Sequence, residues 1–298
     1  MTNPPDTTTP KLDLVPDEAG IDAPAPRPAS HRTPGRRVSE RAQNWILRAV
    51  AIAVFLGGWE LVSRYSGVNP LFFPPPSKVA QSFVGIAKTP SFWTTHVWVT
   101  LKEILLGFLA GCTTGVVLGI LITRSRVIES VLEPFILATQ MIPKLALAPL
   151  LVVWFGFGIL PRLITVALIT FFPLLVNTIL GIRSADAEQL DLFRVIHASS
   201  VAVFLKLELP GALPVMFGGF KVAIVLSTVG ATVAEFIGSS EGLGALIIGA
   251  MGSYDVSLMF GILGLITAIG MCFYGLLSFV ERRMLSWHES VWLHTGER

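Results

Sequence analysis

Residues 183–214 read RSADAEQLDLFRVIHASSVAVFLKLELPGALP, and the reading of this stretch decides how the rest of the chain is arranged. Long apolar segments flank it on both sides, yet it carries acids, bases and a histidine. Its first part, about 186–196, has the mixed faces of a short helix. His197, Ala198, Ser199 and Ser200 break that pattern. A second short apolar-rich helix, 201–209, is expected to stop at Pro210, because proline lacks the N–H that a helix ladder needs. Two short helices wedged between apolar segments fit either a docking element for another protein or an amphipathic loop lying on a lipid surface.

Composition decides the medium. The 298 residues are 52% apolar and only 14% charged, with a mean hydropathy of +0.68. Soluble domains carry about a quarter charged residues. The fold class expected is therefore an all-α membrane protein. A formal net charge of +2 gives no footing for a nucleic-acid partner. Cys112 and Cys272 both fall inside apolar runs and read as small packing residues. The five histidines show no ligand spacing, so no metal and no cofactor are expected.

Outward from the opening stretch, six spans are predicted, at about 46–62, 99–122, 131–155, 163–182, 215–237 and 258–280. Residues 1–38, rich in Pro, Thr, Asp and Ala, read as a disordered tail. They do not begin with a basic region followed by an apolar run, so no secretory signal is expected. A domain of six spans would occupy 39–288, and a polar tail 289–298. Ser77, after a run of three prolines, is expected to N-cap a short interfacial helix ending near residue 88. Residues 243–251 are apolar but too short to span, hence interfacial or re-entrant. The basic patch Arg36, Arg37, Arg41 and Arg48, with Arg124 and Arg126, sets the orientation by the positive-inside rule. Both termini and residues 183–214 are expected in the cytoplasm.

Several polar residues sit at membrane depth. The second span has glycines at 107, 111, 115 and 119, a one-faced seam for close helix packing. The third contains Gln140, Pro143, Lys144 and Pro149, which imply freed backbone groups and a charge turned toward protein or water. Lys144 reads as partnered internally or as a contact for an anionic ligand group. Asn177, on one face of the fourth span with Thr170 and Pro173, reads as a helix–helix hydrogen bond or a substrate contact. In the fifth span, Lys221, Thr228, Thr232 and Glu235 fall within roughly 60° of one another on a helical wheel. That polar stripe makes them candidates to line a path. Glu235 reads equally as a structural partner for a base or for helix N-termini, and Lys221 can snorkel.

Five phrases carry a family resemblance: FPPPS (73–77), IPKLALAPL (142–150), WFGFG (154–158), AEFIG (234–238) and GLG (242–244). With residues 183–214 they resemble the permease subunits of ABC importers, in the subfamily that serves nitrate, taurine and sulfonates. The likeness covers about residues 70–287. Gln140, Lys144, Phe171, Phe172, Pro173, Val176 and Asn177 look more like the branch associated with thiamine-precursor pyrimidines and riboflavin. Counting back from Leu209 and Pro210, Asp191 falls on the family's docking glutamate and His197 on its glycine. Phe193 stands where a small residue is usual; Ala198 and Ser199 fit. Histidine takes the positive φ of that glycine less readily.

The resemblance implies a type I importer permease fold in the bacterial inner or plasma membrane. Residues Asp191, Phe193, His197, Ala198, Ser199, Leu209 and Pro210 would seat in a cytoplasmic ATPase subunit. It also implies a binding protein outside that delivers a small polar nutrient, and a second permease copy or homologue. The chain has no phosphate loop of the Gly-x-x-x-x-Gly-Lys-Ser/Thr kind, so it is not expected to bind ATP or to be an enzyme. An ion-coupled secondary transporter is the rival, but it would show inverted repeats with matching broken helices, and no convincing repeat is visible. A membrane enzyme would need a clustered acid, base or nucleophile; His96 and His197 lie at different ends.

Overall fold

Apolar runs this long can satisfy their backbone groups in lipid only as helices or closed barrels, and the computed structural model is helical throughout its regular elements. It describes residues 34–67, 69, 71–237 and 239–285. The expected C-terminal tail, 289–298, lies outside the described residues, as does the expected N-terminal tail up to residue 33. Helix α1, Pro34–Tyr65, begins inside the segment read as tail, with a proline at its first position, where the missing N–H costs nothing. The chain divides into two compact units, Met1–Leu47 and Arg48–Arg298, of which the first contributes only the start of α1 to the described residues.

Five helical segments among the described residues are long and apolar enough to cross a bilayer: Trp45–Tyr65, Phe92–Thr123, Ile159–Arg183, Ser200–Glu235 and Val256–Met284. The expected third span differs. It is a bent pair, α4 (Arg126–Gln140) and the segment Lys144–Phe155, which meet at 76°. The segment starts as a 3-10 turn, Lys144–Leu147, and continues as α5, Ala148–Phe155. The reason is local: a residue before proline avoids the α region, so the ladder fails at Ile142–Pro143, and Pro143 itself is extended at ψ 91°. Counted as one broken crossing, the pair brings the total to six.

Two further expectations are corrected. Pro210 does not end a helix. The chain runs on from α8, Ser200–Val203, through a π turn, Phe204–Glu208, into α9, Leu209–Glu235, with Pro210 in its first turn. A π turn shifts the ladder to i→i+5 pairing, so the proline's lack of an N–H falls at a junction and not inside a regular ladder. Nor does Ser77 cap the interfacial helix. That helix, α2, is Pro76–Ala87 with Pro75 at its cap. The Ser77 N–H and hydroxyl donate to the Glu60 carboxylate at 3.1 and 2.8 Å.

The centre of the molecule is a three-helix layer of α3 (Trp98–Thr123), α6 (Ile159–Arg183) and α9. Side-chain-free glycines let α3 lie directly on α6. A Cβ on Gly107 would strike Val166, on Gly111 Thr170, on Gly115 the Phe171 carbonyl oxygen and on Gly119 Thr178. The seam read from the sequence is thus a packing face. Ile104, Val166, Ile224 and Ala231 fill the middle of the layer, with Cys112, Leu174 and Ala223 beside them. The short apolar piece is helix α10, Leu243–Gly252. Its Leu243 and Ile247 pack with Phe92, Val97, Ile262 and Ile266. The last helix, α11, is Val256–Met284, capped by Asp255.

Candidate docking surface and translocation cavity

Helix α7, Ala187–Val195, starts at Asp186, whose carboxylate accepts the Glu188 N–H at 3.0 Å. Its end is a left-handed cap. His197 has φ +52°, its N–H donates to the Arg194 carbonyl at 3.0 Å, and the Ala198 N–H donates to the Phe193 carbonyl at 3.0 Å. This paired bonding is the Schellman arrangement, in which glycine usually holds the left-handed position. Ser199 then caps α8 by accepting the Ala202 N–H at 3.3 Å. Asp191 is exposed and paired with Arg194 of its own helix at 2.7 Å. Leu192, Val195, Ile196 and Val201 are exposed apolar side chains around this turn. Phe193 and Ala198 are half-buried, as are Leu209 and Pro210 at the start of α9. Asp191, Phe193, His197, Ala198 and Ser199 thus lie on one projection, α7 and the turn after it, while Leu209 and Pro210 lie in the first turn of α9.

A cavity of about 290 Å³ opens where the broken span meets α6 and α9. Gln140, Lys144, Phe172 and Asn177 line it, with Val176 and Leu226. The Lys144 Nζ donates to the Gln140 carbonyl at 3.1 Å and sits 4.6 Å from the Phe172 ring centroid, within reach of a cation–π attraction. The helix break is what frees that carbonyl. Asn177 donates from Nδ2 to the Pro173 carbonyl of its own helix at 2.7 Å, and its Oδ1 remains as an acceptor. A solute in this cavity would meet ammonium donors, an amide acceptor and an aromatic face.

The other four path candidates are placed away from this cavity. Lys221 is ion-paired with Glu281 of α11. The hydroxyls of Thr228 and Thr232, both buried, donate back to the carbonyls of Ile224 and Thr228 at 3.2 and 2.9 Å. Glu235 is fully buried. Its carboxylate accepts the Thr100 hydroxyl at 2.6 Å and the Gly244 N–H at 2.6 Å, at the start of α10. Gly242 has φ +98°, and a Cβ there or on Gly244 would run into Glu235. Of the two roles read for Glu235, partner to a helix N-terminus is the one this geometry exhibits.

Sequence reading missed the residues around Glu235. The Thr100 oxygen also accepts the Leu243 N–H at 2.8 Å, and His96 Nδ1 lies 2.9 Å from the Gly242 carbonyl, donating to it as the Nδ1–H tautomer. Glu103, fully buried in α3, is ion-paired with Arg162 of α6, which also donates to Ser239 at 3.1 Å. The available signal was Glu103, a charge in the first turns of an apolar span, which must face a partner.

The chain matches the family described as "Binding-protein-dependent transport system inner membrane component" over residues 115–286. It is 35% identical to the riboflavin transport system permease protein RibX of Chloroflexus aurantiacus, over 81% of this chain and 90% of that one. It is 30% identical to the formylaminopyrimidine transport permease protein ThiX of Halalkalibacterium halodurans, over 78% and 91%. Among solved structures it is similar to an amino acid ABC transporter crystallised with histidines. There the identity is 19%, the TM-score 0.56, and the coverage 67% of this chain and 98% of that chain. The fold is that of type I ABC-importer permeases.

Proposed function

The chain belongs to the binding-protein-dependent inner membrane components, the permease subunits of ABC importers, and from that premise we propose how it works with its partners and what it carries. It is a multi-pass membrane transport subunit, and its relatives are permeases rather than catalysts. The projection around His197 faces the cytoplasm and seats in a separate ATPase subunit, which hydrolyses the ATP. Asp191, Phe193, His197, Ala198 and Ser199 form the seat, and Leu209 and Pro210 pass its motion into α9. The observation that carries this reading is the short helix α7, which ends in the left-handed cap at His197 and exposes an acid, Asp191, beside the apolar Leu192, Val195 and Ile196. Both termini lie on the same side. A second copy or close homologue completes the path, and an extracytoplasmic binding protein supplies the solute.

The solute crosses beside Lys144 and Asn177. Lys221, Thr228, Thr232 and Glu235 form the packed wall behind it in this conformation and would join the path only if α9 turned or α10 moved. The donors of Lys144, the acceptor of Asn177 and the Phe172 ring suit a small planar heterocycle bearing carbonyl or ring-nitrogen acceptors. A thiamine-precursor pyrimidine or riboflavin meets that description, and similarity to permeases named for both supports it. The Lys144 ammonium also favours a second reading, an anion such as an aliphatic sulfonate, taurine or nitrate.

The test is uptake into vesicles holding the chain with its ATPase and binding protein. ATP-dependent uptake of formylaminopyrimidine or riboflavin is expected. Uptake of taurine instead would move the substrate to the sulfonate class. Uptake driven by an ion gradient without ATP would sink the importer mechanism. Deleting residues 191–200 should preserve membrane insertion and abolish ATPase co-purification.

A further inference from the structure

Residues 183–214 are fastened at both ends to one corner of the chain. That corner, 124–129, joins α3 to α4. At one end of the stretch, Arg183 donates from Nε to Glu129 Oε2 at 2.9 Å, and its NH2 reaches the Thr123 carbonyl at 3.3 Å. At the other end, Glu208 accepts from Arg124 NH2 at 2.8 Å, and the Arg124 guanidinium lies 4.7 Å from the Phe204 ring centroid. Arg124 caps the end of α3; Ser125 caps the start of α4; Glu129 is in the first turn of α4. Phe204 and Glu208 bound the π turn that leads into α9.

We propose that this corner is a relay, with Arg124, Glu129, Arg183 and Glu208 as positioning residues that carry motion of the docking projection into α4. Helix α4 ends at the break beside Gln140 and Lys144, so a displaced α4 changes the cavity. Isolated ion pairs at a surface do little for stability, and these four side chains are all partly exposed. Their placement has another consequence. Each pair joins two different elements, and both meet the same short corner, Arg183 through Glu129 on α4 and Glu208 through Arg124 at the end of α3, so a shift of the projection bears on the corner from both sides. A π turn where one arm attaches gives that arm a ladder poised between two registers, a feature that recurs at functional sites. The proposal rests on the docking reading above.

The test uses the assembled permease–ATPase complex in nanodiscs, with Cys112→Ala and Cys272→Ala. A Gln140→Cys reporter is labelled by a membrane-impermeant maleimide. The probe is the nucleotide state itself, nucleotide-free against ATP–vanadate-trapped, so no transported solute is needed. With the corner intact, the labelling rate should change at least about fivefold between states, the lower end for linked sites. In Glu129→Gln/Glu208→Gln the ATPase should still co-purify and hydrolyse ATP, but the labelling change should vanish. The exchange Arg124→Glu/Glu208→Arg should restore it relative to Arg124→Glu alone, which keeps the idea testable if the double glutamine variant fails to assemble. An undiminished labelling change in the double glutamine variant would overturn the relay. So would a charge-exchanged complex that hydrolyses ATP but shows no labelling change. Loss of ATPase co-purification from both the glutamine and the exchanged variants would make the corner part of the dock and also overturn the relay. Failure of the unmodified chain to capture an ATPase would refute the docking reading instead.

Discussion

At His197 the backbone is left-handed, φ +52°, and the side chain that sits there is not glycine. An L-residue in that region costs roughly 1–2 kcal/mol, with histidine among the more tolerant. His197→Gly should therefore keep the cap and raise thermal stability slightly, by up to about 1 kcal/mol. His197→Val, β-branched at positive φ, should weaken ATPase co-purification. Equal capture by both variants would show that the turn does not shape the dock. Position 197 was legible in the sequence because the spacing from Leu209 placed it where a glycine is usual. Glu235 was legible only as a charge needing a partner, since its partners, Thr100 and Gly244, come from two other elements. Glu235→Ala would leave the buried Gly244 N–H without its acceptor and the Thr100 hydroxyl with only the His96 carbonyl, at 3.1 Å. A loss of about 1–3 kcal/mol is expected, read as a lowered midpoint of thermal unfolding in detergent. Glu235→Gln, which keeps one acceptor oxygen, should lose less. An unchanged midpoint for the alanine variant would contradict the capping role.

At the scale of elements, periodicity and proline pull in different directions. The glycines of α3 recur every fourth residue, and that alone identifies a face; the structure adds that the face meets α6. Without a hydrophobic drive between helices in lipid, close backbone packing is what holds such a pair together. Gly111→Leu would force a side chain into Thr170 and the Ala167 backbone. It should lower the thermal midpoint and reduce the yield of folded chain, by an amount on the order of the 1–3 kcal/mol of an overpacked core. A midpoint equal to that of the unmodified chain would remove the packing role. Proline was the less legible signal. Pro143 does break a helix and Pro210 does not. The difference lies in what surrounds them. The residues before Pro143 leave the ladder, whereas the π turn before Pro210 realigns it. Such a realignment depends on how the neighbouring residues pack, which a residue-by-residue reading does not hold.

For the molecule as a whole, the path question turns on which polar groups can reach water in turn. The polar stripe of the fifth span was read from helical spacing alone, and spacing says which residues share a face but not what that face meets. Here the face meets α10 and α11, so Thr228 and Thr232 spend their hydroxyls on their own helix. The cavity draws on three separate stretches instead: Gln140 and Lys144 at the break, Phe172 and Asn177 on α6, and Leu226 on α9. No single-helix pattern could have joined them. The two arrangements predict different labelling. With Cys112 and Cys272 replaced by alanine, Asn177→Cys should react with an impermeant thiol reagent in at least one nucleotide state, while Thr232→Cys stays protected in this conformation. The chemistry of the cavity adds a second arm. Lys144 offers a charged donor, and a hydrogen bond to a charged group contributes about 1.5–3 kcal/mol, which corresponds to roughly 10- to 150-fold in affinity. Lys144→Met should therefore depress ATP-driven uptake of formylaminopyrimidine by about tenfold or more at subsaturating solute, with membrane insertion and ATPase co-purification unchanged. If Lys144→Met transports normally and Asn177→Cys is sealed in every state while Thr232→Cys reacts, the path runs along the α9 stripe, and the cavity at the helix break is only a packing defect.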